Sequence, residues 1–205
     1  MAANLLLQFS KLRKRGGPDG TSVGAARRIF LALILAFPGN LGAQSQAAEY
    51  SVKAAFLFNF AKFIDWPPEN FKASSDPMIY CLAGEDPFGD LLDQALAGKT
   101  IGGHPVRLLR PKKPEDADVC NIVFLASKQE KLSARYLERL KDHSVLTVGE
   151  ADDFLKQGGI IRFVLDDNKV RFEVNLTAAE HAKLKVSSRL LALARSVVGA
   201  PPAGN

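Results

Sequence analysis

The chain is poor in the residues from which most catalytic and metal sites are built. Its 205 residues include two cysteines and three histidines. His104, His143 and His181 have no cysteine or second histidine at the short spacing that metal ligands need, so no metal is expected. There is no GxSxG elbow, no GxGxxG and no Walker sequence, so the sequence signatures of α/β hydrolases and of phosphate-cradling loops are missing. Cys81 and Cys120 lie within apolar, strand-like runs, whereas reactive thiols favour helix starts and electropositive surroundings. The carboxylate pairs Glu85/Asp86 and Asp152/Asp153 are accounted for by caps and turns. Neither an enzyme nor a cofactor is expected. Long apolar runs are also lacking. The longest, Ile29–Phe37, has nine residues, about half of what a membrane-spanning helix requires.

That short run sits in an informative place. Lys11, Arg13, Lys14, Arg15, Arg27 and Arg28 precede it, with Asp19 the one acid, and the small-residue stretch LGAQSQAA follows it. A basic region, a short apolar core and then small residues form the layout of a secretory signal peptide. Residues 1–47 are read as that signal, with cleavage after Ala47 and Ala43 as the alternative. Residues 48–198 form the mature domain and 199–205 a loose tail. General secretory export is preferred over the twin-arginine route that RRIFLA also resembles. The destination is an oxidising compartment outside the cytoplasm.

Export changes the meaning of the charge. The whole chain carries +5, which invites a nucleic-acid reading. Six of its 27 basic residues and one of its 22 acids lie before Ala48, leaving 21 of each beyond it. The basic character belongs to the leader, and no nucleic-acid partner is expected. In an oxidising compartment the two cysteines are read first as a disulfide and otherwise as two buried thiols.

The mature part alternates strands and helices, which points to a single-domain α/β layered sandwich with a mixed sheet flanked by helices. EYSVKAAFLFNFAKFID is expected as a helix ended by Pro67 and Pro68, with Val52, Phe56, Leu57, Phe60, Phe63 and Ile64 on one buried face. Phe58 points instead towards the Lys62/Asp65 side, with Asn59 beside it and Trp66 at its edge. These four, Phe58, Asn59, Lys62 and Trp66, are a candidate partner or dimer contact. Met78 to Ala83 reads as a buried strand, followed by a helix to Ala97 with Asp86 as N-cap and Pro87 at its first position. Further strands are expected near Val106–Leu109, in VCNIVFLAS and in SVLTVGE, with a helix over Gln129–Lys141. GIIRFVLDDNKVRFEVNL is a β-hairpin near residues 160–174, turning at Asp166–Lys169. Arg162 and Arg171 lie across that hairpin as a candidate small-ligand or anion contact, with cross-strand pairing to Glu173 the simpler account. Thr177–Glu180 has capping-box spacing and opens a helix. Ser187–Ser188 recap it into a second segment reaching Val198.

Four stretches in this order, YSVKAAFLFNFAKFIDWP, CLAGEDPFGDLLD, GGIIRFVLDDNKVRFEVNLTAAEHA and VSSRLLALAR, resemble the YfiR family over Glu49 to Val198. The resemblance implies a periplasmic, α/β, non-enzymatic protein able to form a homodimer. It implies a partner as well, the periplasmic domain of an inner-membrane diguanylate cyclase, which such a protein represses, lowering cyclic di-GMP and biofilm formation. It also implies that Cys81 and Cys120 form one bridge, while a second cysteine pair known in the family is absent. A different reading is a periplasmic small-molecule sensor acting on another membrane partner, with its ligand in the crevice beyond the strand ends near Gly84 and Gly149.

Overall fold

The computed structural model describes residues 41–126 and 130–199. The predicted signal segment lies outside them up to residue 40, as does the predicted tail beyond Gly199. The first helix, α1 (Leu41–Phe60), buries Ala54, Leu57 and Phe60, and the stripe continues through Ala61 and Ile64. Two expectations are corrected here. Val52 is 45% exposed, because the buried stripe is centred on the 53–54, 57, 60–61 and 64 positions. Helical structure also stops short of Pro67. Ala61–Phe63 tighten into a 3-10 turn, and β1 (Ile64–Asp65) pairs antiparallel with the later β9 (Lys185–Val186). The Ser187 amide then donates to the Phe63 carbonyl at 2.9 Å. Backbone bonding to a distant strand outweighs local helical preference at these residues.

After β1 the chain forms β2 (Met78–Ala83), α2 (Asp90–Leu96), β3 (Thr100–Ile101), β4 (His104–Leu109), β5 (Ile122–Leu125), α3 (Glu130–Leu140), β6 (Leu146–Gly149), β7 (Ile161–Asp166) and β8 (Lys169–Asn175). It closes with α4 (Leu176–His181), β9, α5 (Ser188–Leu191) and β10 (Ser196–Val198). Eight strands form a mixed sheet in the order β10-β8-β7-β6-β5-β2-β4-β3. The run β4-β2-β5-β6-β7 is parallel throughout. β5 and β6 are buried at every residue, as expected of parallel strands covered on both faces. One face carries Tyr80, Leu82, Phe124, Val148 and Phe163 against α1, α2 and α4. The other carries Cys81, Ala83, Val123 and Leu125 against α3 and Phe154. The hairpin β7–β8 turns through Asp167 and Asn168, both at positive φ (47° and 59°), where Asn and Asp are the tolerated non-glycine residues.

Three further boundaries differ from the sequence reading. Gly89, not Asp86, stands at the N-cap of α2. The Asp86 carboxylate instead accepts from the amides of Phe88 (2.8 Å) and Gly89 (3.2 Å). The extra turn lets Phe88 bury its ring edge-on against Phe124, 5.0 Å between centroids. Asn175, rather than Thr177, caps α4 by accepting from the Ala178 amide at 3.0 Å, since β8 keeps the backbone extended up to that residue. Ser187 caps α5 as expected, but α5 is four residues long. The expected helix to Val198 is replaced by β10, which pairs parallel with β8. The open edge of β8 offers backbone partners there, and the Arg195 amide donates to the Phe172 carbonyl at 2.8 Å.

Gly149 and Gly159 flank the buried ring of Phe154, and a Cβ on either would overlap that ring. Gly159→Ala is expected to destabilise the fold by about 1–3 kcal/mol through overpacking. A thermal melt reads this as a lowered Tm, and an unchanged Tm would show that Phe154 can withdraw freely.

Candidate functional site

A parallel sheet ordered 4-2-5-6-7 reverses its winding between β2 and β5. The crevice beyond the carboxyl ends of strands at such a point is the usual ligand position in open α/β sheets. A cavity of about 360 Å³ lies there, lined by Tyr50 and Ala47 of α1, by Glu85, Asp86 and Phe88 of the β2–α2 loop, and by Ala126 and Glu150 after β5 and β6. The loop is braced from outside. Arg110 pairs with Asp86 at 3.1 Å and with Asp93 at 2.5 Å, and this guanidinium holds the Asp93 carboxyl below its ordinary range.

The deepest charge beside the crevice belongs to Lys53, which is 4% exposed. Its Nζ pairs with Glu150 and lies 2.5 Å from Glu49, 4.5 Å from the centre of the Tyr50 ring. The Tyr50 hydroxyl donates to Glu150 Oε1 at 3.0 Å. Burial first, and then the Glu150 carboxylate, push the Tyr50 hydroxyl above its ordinary range, so it stays protonated. A helix is thus tied to the end of β6 by one buried cation and one phenol. Lys53 was not singled out from the sequence. Two signals were available: it shares the helical stripe of Leu57 and Phe60, and Glu49 stands four residues before it.

The four residues of the predicted partner contact fall at the far end of α1 and just beyond it, and contacts join three of them, Phe58, Asn59 and Lys62. Lys62 Nζ lies 4.2 Å over the Phe58 ring and donates to Asn59 Oδ1 at 2.9 Å, while Asn59 donates to the Ala55 carbonyl. The Trp66 indole N–H donates to the Ala61 carbonyl at 3.2 Å. Phe58 and Trp66 are half-buried against the core, so each presents part of an aromatic surface to solvent. Arg162 sits opposite Glu173 in the hairpin register. It donates to that carboxylate at 2.8 Å and to the Asp152 carbonyl at 2.6 Å. Arg171 is exposed, opposite Val164. The disulfide is present: Cys81 in β2 is bonded to Cys120 just before β5, Cα atoms 6.0 Å apart. Among the described residues no group of three His, Cys, Asp or Glu is placed to hold a metal ion.

Residues 50–195 match the sequence family described as DUF4154, YfiR/HmsC-like. The chain belongs to this family. Membership makes it one of a set of periplasmic, regulatory proteins. No described helix of this YfiR/HmsC-like protein is long and apolar enough to cross a membrane. In three dimensions it is similar to a conserved domain protein from Vibrio cholerae O1 biovar El Tor. That match has 13% identity and a TM-score of 0.46, and covers 59% of this chain and 55% of that one. It is similar also to the ABC domain in complex with L-Trp from Streptococcus pneumonia, with 10% identity and a TM-score of 0.47, covering 71% and 60%. The chain therefore spans little more than half the length of either structure.

Proposed function

We propose that this protein is a periplasmic, non-enzymatic repressor. It binds the periplasmic domain of an inner-membrane diguanylate cyclase and so lowers cyclic di-GMP and biofilm formation. The observation that carries this reading is the family match over residues 50–195, which takes in the second half of α1 and every later element up to α5. The exported character of the leader and the neutral charge balance beyond it agree with such a role. Repression needs only a preference for one conformation of the partner. About 3 kcal/mol of preference shifts a two-state balance by more than a hundredfold. Phe58, Asn59, Lys62 and Trp66 supply the contact surface, for the cyclase or for a second copy of this chain.

Deleting the gene in its own host is expected to raise cellular cyclic di-GMP. Restoring it with Phe58→Ala and Trp66→Ala together should leave cyclic di-GMP high while the protein still folds. No rise on deletion, under conditions where the protein is made, contradicts repression. Full complementation by the double variant removes these two residues from the contact. A second reading, small-molecule sensing, is supported by the cavity at the winding reversal and is compatible with the first, because a ligand there would tune the repressor.

A further inference from the structure

We infer that the surface formed by β9 and α5 docks on an anionic phospholipid bilayer, an interaction that goes beyond the repressor reading and does not depend on it. The side-chain charge of this chain is segregated. Beyond Ala47 there are 21 bases and 21 acids, but the last acid is Glu180. Residues 181–205 hold Lys183, Lys185, Arg189 and Arg195 and no acidic side chain, which leaves 17 bases against 21 acids over residues 48–180. The fold sets three of these bases at the surface instead of against the acids of the body. Lys183, Lys185 and Arg189 are exposed, and among the described residues none of them pairs with a carboxylate. Arg195 does pair, 3.3 Å from Glu173 and 3.9 Å from Asp166, and takes no part. β9 lies beside β1, where Asp65 stands opposite Lys185, and Glu180 precedes Lys183 at the end of α4. Lys62, just before β1, donates to Asn59 and not to an acid. Over this strip four bases meet two acids, and the field favours an anionic partner.

The apolar groups among these bases favour a bilayer over an acidic protein. Leu193, one turn beyond Arg189, is 60% exposed. Trp66, next to Asp65 in the chain, is half-buried, its indole N–H on the Ala61 carbonyl. Single apolar tips set among lysines and arginines suit the boundary between headgroups and acyl chains, where the tips enter and the bases meet phosphate. A protein interface centres instead on a buried apolar core. The leucines that β9 and α5 could offer for that purpose, Leu184 and Leu190, belong to the protein's own core.

Vesicle co-sedimentation tests this with the exported protein, its basic leader removed. The vesicles are pure phosphatidylcholine and an equal mixture of phosphatidylcholine and phosphatidylglycerol. Each base near an anionic surface strengthens binding about fivefold. The protein is expected to bind the mixed vesicles, to leave the phosphatidylcholine ones unbound, and to release as salt rises. The triple variant Lys183→Gln, Lys185→Gln and Arg189→Gln should bind about a hundredfold more weakly. Leu193→Ser should bind about tenfold more weakly. Both variants should keep the parent Tm, because all four side chains are exposed. Equal binding to the two vesicles, no binding to either, or unchanged affinity in either variant overturns the proposal. Binding of soluble poly-glutamate without binding of the mixed vesicles assigns the surface to an acidic polypeptide and overturns the bilayer as its partner.

Discussion

Reduction of the Cys81–Cys120 disulfide is expected to lower the stability of the domain by about 4 kcal/mol, the chain-entropy value for a loop of its length. The bond closes a separation of 39 residues that contains α2, β3 and β4. Without it, the unfolded chain regains the freedom of that whole loop, while the folded sheet keeps β2 and β5 paired by their own register. Both sulfurs are buried on the α3 face beside Ala117 and Val123, so two thiols would replace the bond without exposing new surface. Most of the loss thus arises in the unfolded state. Urea unfolding with and without reductant reads the effect as a midpoint lowered by about 2 M, for a slope near 2 kcal/mol per M. A domain with about 5–15 kcal/mol in hand would then be folded but vulnerable. An unchanged midpoint would mean that the reduced, unfolded chain stays compact over this loop.

Lys53→Met is expected to cost about 3 kcal/mol or more, which is large for a residue on a helix that otherwise packs aliphatic and aromatic groups. Methionine matches the stem of lysine and packs as well as it does. The penalty comes from Glu150, whose side chain is 10% exposed and would be left, among the described residues, with the Tyr50 hydroxyl as its partner. Glu49 is more open, at 24%, and can turn to water. The pair Lys53→Met and Glu150→Leu together is therefore expected to recover most of the loss, since a buried ion pair replaced whole by apolar groups is close to neutral. Thermal melts of the three proteins decide it. For a domain of this size the single variant should melt roughly 6–12 °C lower. If the double variant melts as low as the single one, the lysine acts through packing rather than charge.

These two residues show what could and could not be read in advance. The strands that are apolar at every position, β2 and β5, announce a sheet covered on both faces, and the hairpin β7–β8 announces itself through alternation and its Asp-Asn turn. Each is a local pattern, and each appears where expected. Lys53 is different. Its place in the buried stripe was visible in the spacing, but its partner Glu150 stands 97 residues away. Only the docking of α1 across the end of β6 makes the two a pair. The boundaries that moved did so for the same reason. Ile64–Asp65 and Ser196–Val198 have no strong local claim to be strands, and they extend because β9 and the open edge of β8 present unpaired backbone groups beside them.

The sequence by itself determined the export signal as an expectation, the α/β class, the hairpin and the family. Those properties depend on composition and on patterns a few residues long, which survive without knowledge of what packs against what. Tertiary structure alone decided the winding reversal between β2 and β5, the cavity that follows from it, the Lys53–Glu150 tie and the meeting of the two cysteines on one face. Each of these joins segments tens of residues apart, and such contacts are set by how layers stack to bury apolar surface.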